Sequence, residues 1–213
     1  MDRYKKLKKD ITDKIKIDKN KNVKEIEKMS NKYFKDLPYT LLEKKVAYKG
    51  KRVTVEELTY MADGKKIYRE HVGAGDAAVI LAITDENKVI MVQEPRTPIN
   101  KTILGLPAGQ IEEGEIAEEG ARRELEEETG YRAGKVKKLR EVYPSVGYTS
   151  EKITIFLATD LVKTKQHLDE DEDINVVELP LDEVRSMLDK NEIITSSSTV
   201  ALMHYFLYED ENN

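Results

Sequence analysis

The stretch Gly109–Tyr131, GQIEEGEIAEEGARRELEEETGY, constrains this chain more than any other. Gly109 to Gly114 reads as a loop and Glu115 to Thr129 as a helix. The helical part is rich in Ala, Glu, Arg and Leu, and Gly130 stands where a C-terminal cap belongs. At about 100° per residue, Glu124, Glu127 and Glu128 share one stripe through i,i+3 and i,i+4 spacing. Ala121 and Leu125 make an apolar stripe beside it, while Glu119, Arg122 and Glu126 point elsewhere. Such a helix docks by small apolar residues and presents clustered carboxylates at the edge of its contact. Like charges at i,i+4 cost about 0.2–0.5 kcal/mol per pair, and more when partly buried, so something positive is expected to offset them. A hard divalent cation fits, since magnesium takes oxygen ligands and usually arrives with substrate phosphates.

Three glutamates alone make a solvated acidic face the plainer reading. The whole pattern changes the odds. Seven residues at fixed spacing, each at about 7% usage, coincide on the order of 10⁻⁸ per starting position.

The rest of the chain divides into three parts by pattern: 1–37, 38–75 and 76–213. The first is lysine-rich, with Tyr4, Leu7, Ile11 and Ile15 at helical spacing and Val23, Ile26 and Tyr33 as a second stripe. Interspersed acids make it a solvated helical extension rather than a nucleic-acid contact. After Pro38, Thr40–Tyr48, Arg52–Met61 and Lys66–Val72 read as strands, with a hairpin turn at Asp63-Gly64. Ala77–Thr84 (AAVILAIT) is apolar throughout, the mark of a buried strand. Lys88–Gln93, Thr102–Leu106, Lys135–Val142, Lys152–Thr159 and Asn175–Leu179 follow as strands, then Leu181–Lys190 and Ser198–Tyr208 as amphipathic helices. Strands interleaved with helices around one mixed sheet predict an α+β fold, an α/β/α sandwich with a small β-rich unit ahead of it.

Composition narrows the field. Among 213 residues 36% are charged and the net charge is −5, which gives no support for a nucleic-acid surface. There are no cysteines, so a disulfide framework and a cysteine zinc site are both excluded. No stretch approaches the roughly 20 apolar residues of a membrane span, and the N-terminus lacks the apolar core of a signal peptide. A cytoplasmic protein is the expectation.

The spacing Gly109-x5-Glu115-x7-Arg123-Glu124-Leu125-x-Glu127-Glu128-x-Gly130-Tyr131 resembles the Nudix box at every fixed position. The likeness runs from about Leu41 to Tyr208 and is greatest to the ADP-ribose pyrophosphatase branch. It implies hydrolysis of a nucleoside diphosphate linked to another group, with Mg²⁺ as cofactor and Mn²⁺ as a substitute. It implies metal ligation by Glu124, Glu127, Glu128 and the carbonyl of Ala108. Arg123 and Glu115 belong to the box, with a structural role as their simplest reading. In SVGYTSE the resemblance makes Glu151 the general base, on a loop able to close over bound substrate; Glu127 is the alternative. Arg96, Arg69 and Glu172 become substrate contacts, Arg69 across a homodimer interface. Nucleoside triphosphate hydrolysis and a non-catalytic sensing module stay open beside ADP-ribose hydrolysis.

Overall fold

The computed structural model describes residues 35–210. The helical stripes expected before Lys35 lie outside these residues. Three strands, β1 (Thr40–Lys49), β2 (Thr54–Ala62) and β3 (Lys65–Gly73), pair in that order. By its contacts the chain divides into two compact units, Met1–Leu42 with Tyr60–Ile67, and Glu43–Thr59 with Tyr68–Asn213. In the first, the β2–β3 turn places both Asp63 and Gly64 at positive φ, 48° and 74°, as a two-residue hairpin requires. The rings of Tyr39 and Tyr60 lie 6.4 Å apart in the same unit.

The second unit is built on a seven-stranded mixed sheet. Its strands are β4 (Ala77–Ile83), β5 (Lys88–Arg96), β6 (Lys101–Gly105), β7 (Ala108–Gln110), β8 (Tyr131–Val142), β9 (Ile153–Lys163) and β10 (Asn175–Pro180). The order is β10-β5-β4-β9-β8, with β6 on β5 and β7 on β4. β4 and β9 run parallel, Ala77 opposite Ile153, and their other partners are antiparallel.

Burial on both faces explains the apolar run in β4. Val79, Leu81 and Ile83 point into one core with Met91, Ile155, Leu181, Val184, Leu202 and Phe206. That core lies under helices α2 (Leu181–Asp189) and α3 (Ser196–Tyr208), named after α1 (Ala117–Thr129). The alternate residues Ala78, Ile80 and Ala82 pack with Ala121 and Leu125 of α1 and with Phe156. A strand has a side-chain period of two, so one continuous apolar stretch serves two layers. The result is the sandwich expected from the sequence, and α1 is the layer that carries the acidic motif. No helix among the described residues is long and apolar enough to cross a membrane.

Two local differences bear on the site. The helix starts at Ala117 rather than Glu115, because the Glu115 side chain is engaged in the loop, accepting the Glu112 amide at 2.9 Å. Ala108–Gln110 is a short strand rather than a loop, held on β4 by pairs from Ala77–Gln110 to Val79–Ala108. At the other end Gly130 adopts φ 68° and donates its amide to the Glu126 carbonyl, an αL helix cap.

Candidate active site

Arg123 organises the loop–helix motif. Its Nε and Nη2 donate to the two oxygens of Glu115 at 3.0 Å each, and Nη2 also donates to the Gln110 carbonyl at 2.9 Å. Nη1 donates to Glu124 at 2.7 Å and to Glu127 at 3.0 Å. One planar guanidinium therefore ties the loop to the helix and draws two carboxylates to one side. The partners, Glu115 foremost, raise its pKa further above an already basic value.

Gly109 is the point of closest approach between strand and helix. A Cβ built there would lie 2.0 Å from the Glu124 carboxyl carbon, so any other residue would displace this carboxylate from its place against the backbone. Beside it, Glu128 is 4% exposed and accepts the Ala108 amide at 2.9 Å. Burial, the largest cause, pushes its carboxyl up to about 8. The Ala108 hydrogen bond opposes this, and the charges of Glu124, Glu94 and Glu172 add to it. Burial likewise raises Glu124, against the pull of Arg123 and with a further push from Glu127 and Glu172.

Two residues from outside the box, Glu94 and Glu172, add to the charge felt by Glu128. Glu172 comes from the acidic loop after β9, where it accepts the Asp169 amide at 3.2 Å. That loop is brought to the box by helix capping: the His167 amide donates to the Glu127 carbonyl at 2.8 Å, and Gln166 Nε2 to the Glu128 carbonyl at 2.7 Å. Orphan carbonyls at the end of α1 are thereby satisfied. Glu94 is the residue the sequence reading missed. It lies on β5 and forms an ion pair with Arg96, which places the expected substrate arginine next to a carboxylate that acts on Glu128. The signal was present in the two-residue spacing of Glu94 and Arg96, which on a strand puts both on one face.

Glu151 belongs to a different neighbourhood. Burial, then the charge of Asp76, raises its pKa. Asp76 in turn meets Lys152 Nζ at 3.3 Å and accepts the Ile111 amide at 2.9 Å through its carbonyl. The segment is not a free flap. Val72 donates its amide to the Tyr148 carbonyl at 2.7 Å, Val72 bridges Thr149 in parallel fashion, and Ala77 donates to the Lys152 carbonyl at 3.0 Å. Only the preceding turn projects, with Val146 79% exposed. Arg69 stands apart from the box, exposed on β3 with its Nη1 on the Tyr68 carbonyl.

A hard cation suits this donor set. Glu128 is buried without a cationic partner among the described residues, and Glu124, Glu94 and Glu172 surround it with like charge. Oxygen donors in such surplus match the preference of hard divalent cations. Among the described residues no three such side chains already converge as ligands, because Arg123 holds the carboxylates of Glu124 and Glu127.

A mixed sheet between helices, with Glu128 buried and one arginine tying the loop to the carboxylates of the helix, is an arrangement suited to a hard divalent cation. The Nudix domain pattern matches residues 74–199, and the chain belongs to the Nudix family. It is 37% identical over 179 residues to an ADP-ribose pyrophosphatase of Bacillus subtilis (strain 168), covering 82% of this chain and 96% of that one. It is also 37% identical over 151 residues to a methanol dehydrogenase activator of Bacillus methanolicus, covering 70% and 82%. Among solved structures, an ADP compounds hydrolase superposes with a TM-score of 0.72 at 26% identity, over 81% of this chain and 95% of that one. Within the family the likeness is to the ADP-ribose pyrophosphatase branch.

Proposed function

We propose that this chain hydrolyses the diphosphate bond of a nucleoside diphosphate sugar, ADP-ribose foremost, giving AMP and ribose 5-phosphate with Mg²⁺ as cofactor. The observation that carries the reading is Glu128, buried on the Ala108 amide without a cationic partner among the described residues, beside Glu124 at the Gly109 backbone. The relatives that share the fold along most of the chain support the substrate class.

Glu124, Glu127, Glu128 and the Ala108 carbonyl are the groups that would hold the cation. When bound, it would neutralise phosphoryl oxygens and lower the pKa of a bound water. Arg123 keeps the loop and helix in register and with them the carboxylates of Glu124 and Glu127. Arg96, exposed and paired with Glu94, is the residue proposed to take the substrate's negative charge. Water forms a bond to one phosphorus, the bridging P–O bond breaks, and the water's proton passes to Glu151. The raised affinity of Glu151 for a proton, caused by burial and by Asp76, suits a general base. Glu127, half-exposed and engaged by Arg123, is the second candidate for that proton.

The reading includes a homodimer. Val46 and Tyr48 share one face of β1 and are each more than half exposed, apolar surface that a second copy would cover and that would carry Arg69 to the partner's site. A panel of ADP-ribose, GDP-sugars and nucleoside triphosphates, assayed with Mg²⁺ by chromatography of the products, tests the proposal. The highest kcat/KM is expected for ADP-ribose; a preference for triphosphates would overturn it.

A further inference from the structure

We propose that Glu56, His71 and Ser150 form a positioning relay that fixes the segment carrying Glu151, an inference that rests on Glu151 being the proton acceptor. His71 Nδ1 lies 3.0 Å from Glu56 Oε2, and His71 Nε2 lies 2.9 Å from Ser150 Oγ. The three residues come from β2, β3 and the turn before β9, separated by 15 and 79 positions. Long-range side-chain contacts of this kind hold a loop only when each partner is itself held.

Glu56 is held. Its other oxygen takes Lys44 Nζ at 2.7 Å, and its side chain is 12% exposed. Lys44, then His71, keeps its carboxyl below the usual range, so it is an ionised acceptor. A carboxylate only accepts, which requires the proton of the imidazole to sit on Nδ1. Nε2 then accepts from the Ser150 hydroxyl when the ring is neutral and donates to it when the ring is charged. The hydroxyl does either, so the contact stands in both protonation states.

The relay acts where the chain turns towards Glu151. Tyr148 and Thr149 are engaged by the Val72 backbone, the Glu151 amide donates to Thr149 Oγ1 at 3.1 Å, and the Lys152 carbonyl accepts from Ala77. Ser150, between these anchors, is fixed by its side chain through His71. Displacement of a reacting group by about 1 Å costs on the order of 10²-fold in rate, so such an anchor bears on turnover. The order Glu–His–Ser is also that of a nucleophile triad. Ser150, however, is exposed in the turn before β9 and is read as a tether rather than a nucleophile.

Single-turnover kinetics with ADP-ribose and Mg²⁺ test this in His71→Ala, Ser150→Ala, the double variant, and His71→Ala combined with Glu151→Gln. His71→Gln serves where the alanine variant does not fold. Each single relay variant is expected to lower the rate roughly 10-fold, with KM and Mg²⁺ dependence within about twofold. The double variant should be no slower than His71→Ala, and His71→Ala should cost nothing more once Glu151 is Gln. Losses that multiply in either combination, or a His71→Ala enzyme within about twofold of wild type, overturn the relay. Amide exchange at Thr149–Glu151 separates the two premises. Faster exchange in His71→Ala beside a fully active Glu151→Gln enzyme removes the base assignment and keeps the tether. Unchanged exchange removes the tether.

Discussion

Replacing Glu128 by glutamine tests the electrostatics of the site without any substrate. In the metal-free protein the carboxyl is raised from 4.5 to about 8, chiefly by burial. The folded state therefore keeps a proton between those two values that the unfolded chain releases. The resulting stability is fully present below about 4.5 and is lost as pH rises through about 8. At about 1.4 kcal/mol per pH unit, the ceiling on that loss is about 5 kcal/mol. Relaxation and entering water reduce such penalties, and about 2 kcal/mol is expected to be seen. Glutamine keeps an acceptor for the Ala108 amide and carries no charge. The Glu128→Gln protein in chelator should then match wild type near pH 5 and exceed it at pH 8.5, by roughly 4–8 °C in Tm for a chain of this size. Adding Mg²⁺ at pH 8.5 should stabilise wild type and leave the variant unmoved. Scanning calorimetry across this range reads both effects. If the variant is no more stable than wild type at pH 8.5 in chelator, Glu128 is not the strained carboxylate described here.

Glu151→Gln should lower the single-turnover rate roughly 10²–10⁴-fold with little change in Mg²⁺ affinity; the same loss in Glu127→Gln alone would move the base to the helix. Gly109→Ala, whose Cβ would stand 2.0 Å from the Glu124 carboxyl, should weaken Mg²⁺ activation roughly 10–100-fold with the fold retained by circular dichroism. Sedimentation at micromolar concentration should give a dimer, and Arg69→Ala should raise KM more than it lowers kcat; a fully active monomer would contradict this arrangement.

Periodicity made the layers legible. The apolar run Ala77–Thr84 announced a buried strand, and Ala121 with Leu125 announced the docking stripe of α1. The carboxylate stripe was legible as a stripe but not as a gradient. Glu128 is buried and Glu127 half-exposed, because a sheet covers one side of the helix and spacing alone does not say how far that cover reaches. Glu94 escaped because its role depends on where β5 runs relative to α1. The restraint on Glu151 escaped for a similar reason: the Val72–Thr149 bridge joins residues far apart in sequence, and no local pattern encodes it. The loop with Glu172, reached in the sequence only through the resemblance, takes its place from the helix end that its neighbours His167 and Gln166 cap.

The most direct measurement is ³¹P NMR of ADP-ribose with the purified protein, first in chelator and then after Mg²⁺ is added in excess. The account predicts no change in chelator. On adding Mg²⁺, the diphosphate signals should be replaced by two phosphomonoester signals, AMP and ribose 5-phosphate, and Glu124→Gln should abolish the conversion. Equal conversion in chelator, or an unchanged diphosphate with Mg²⁺ present, would contradict it.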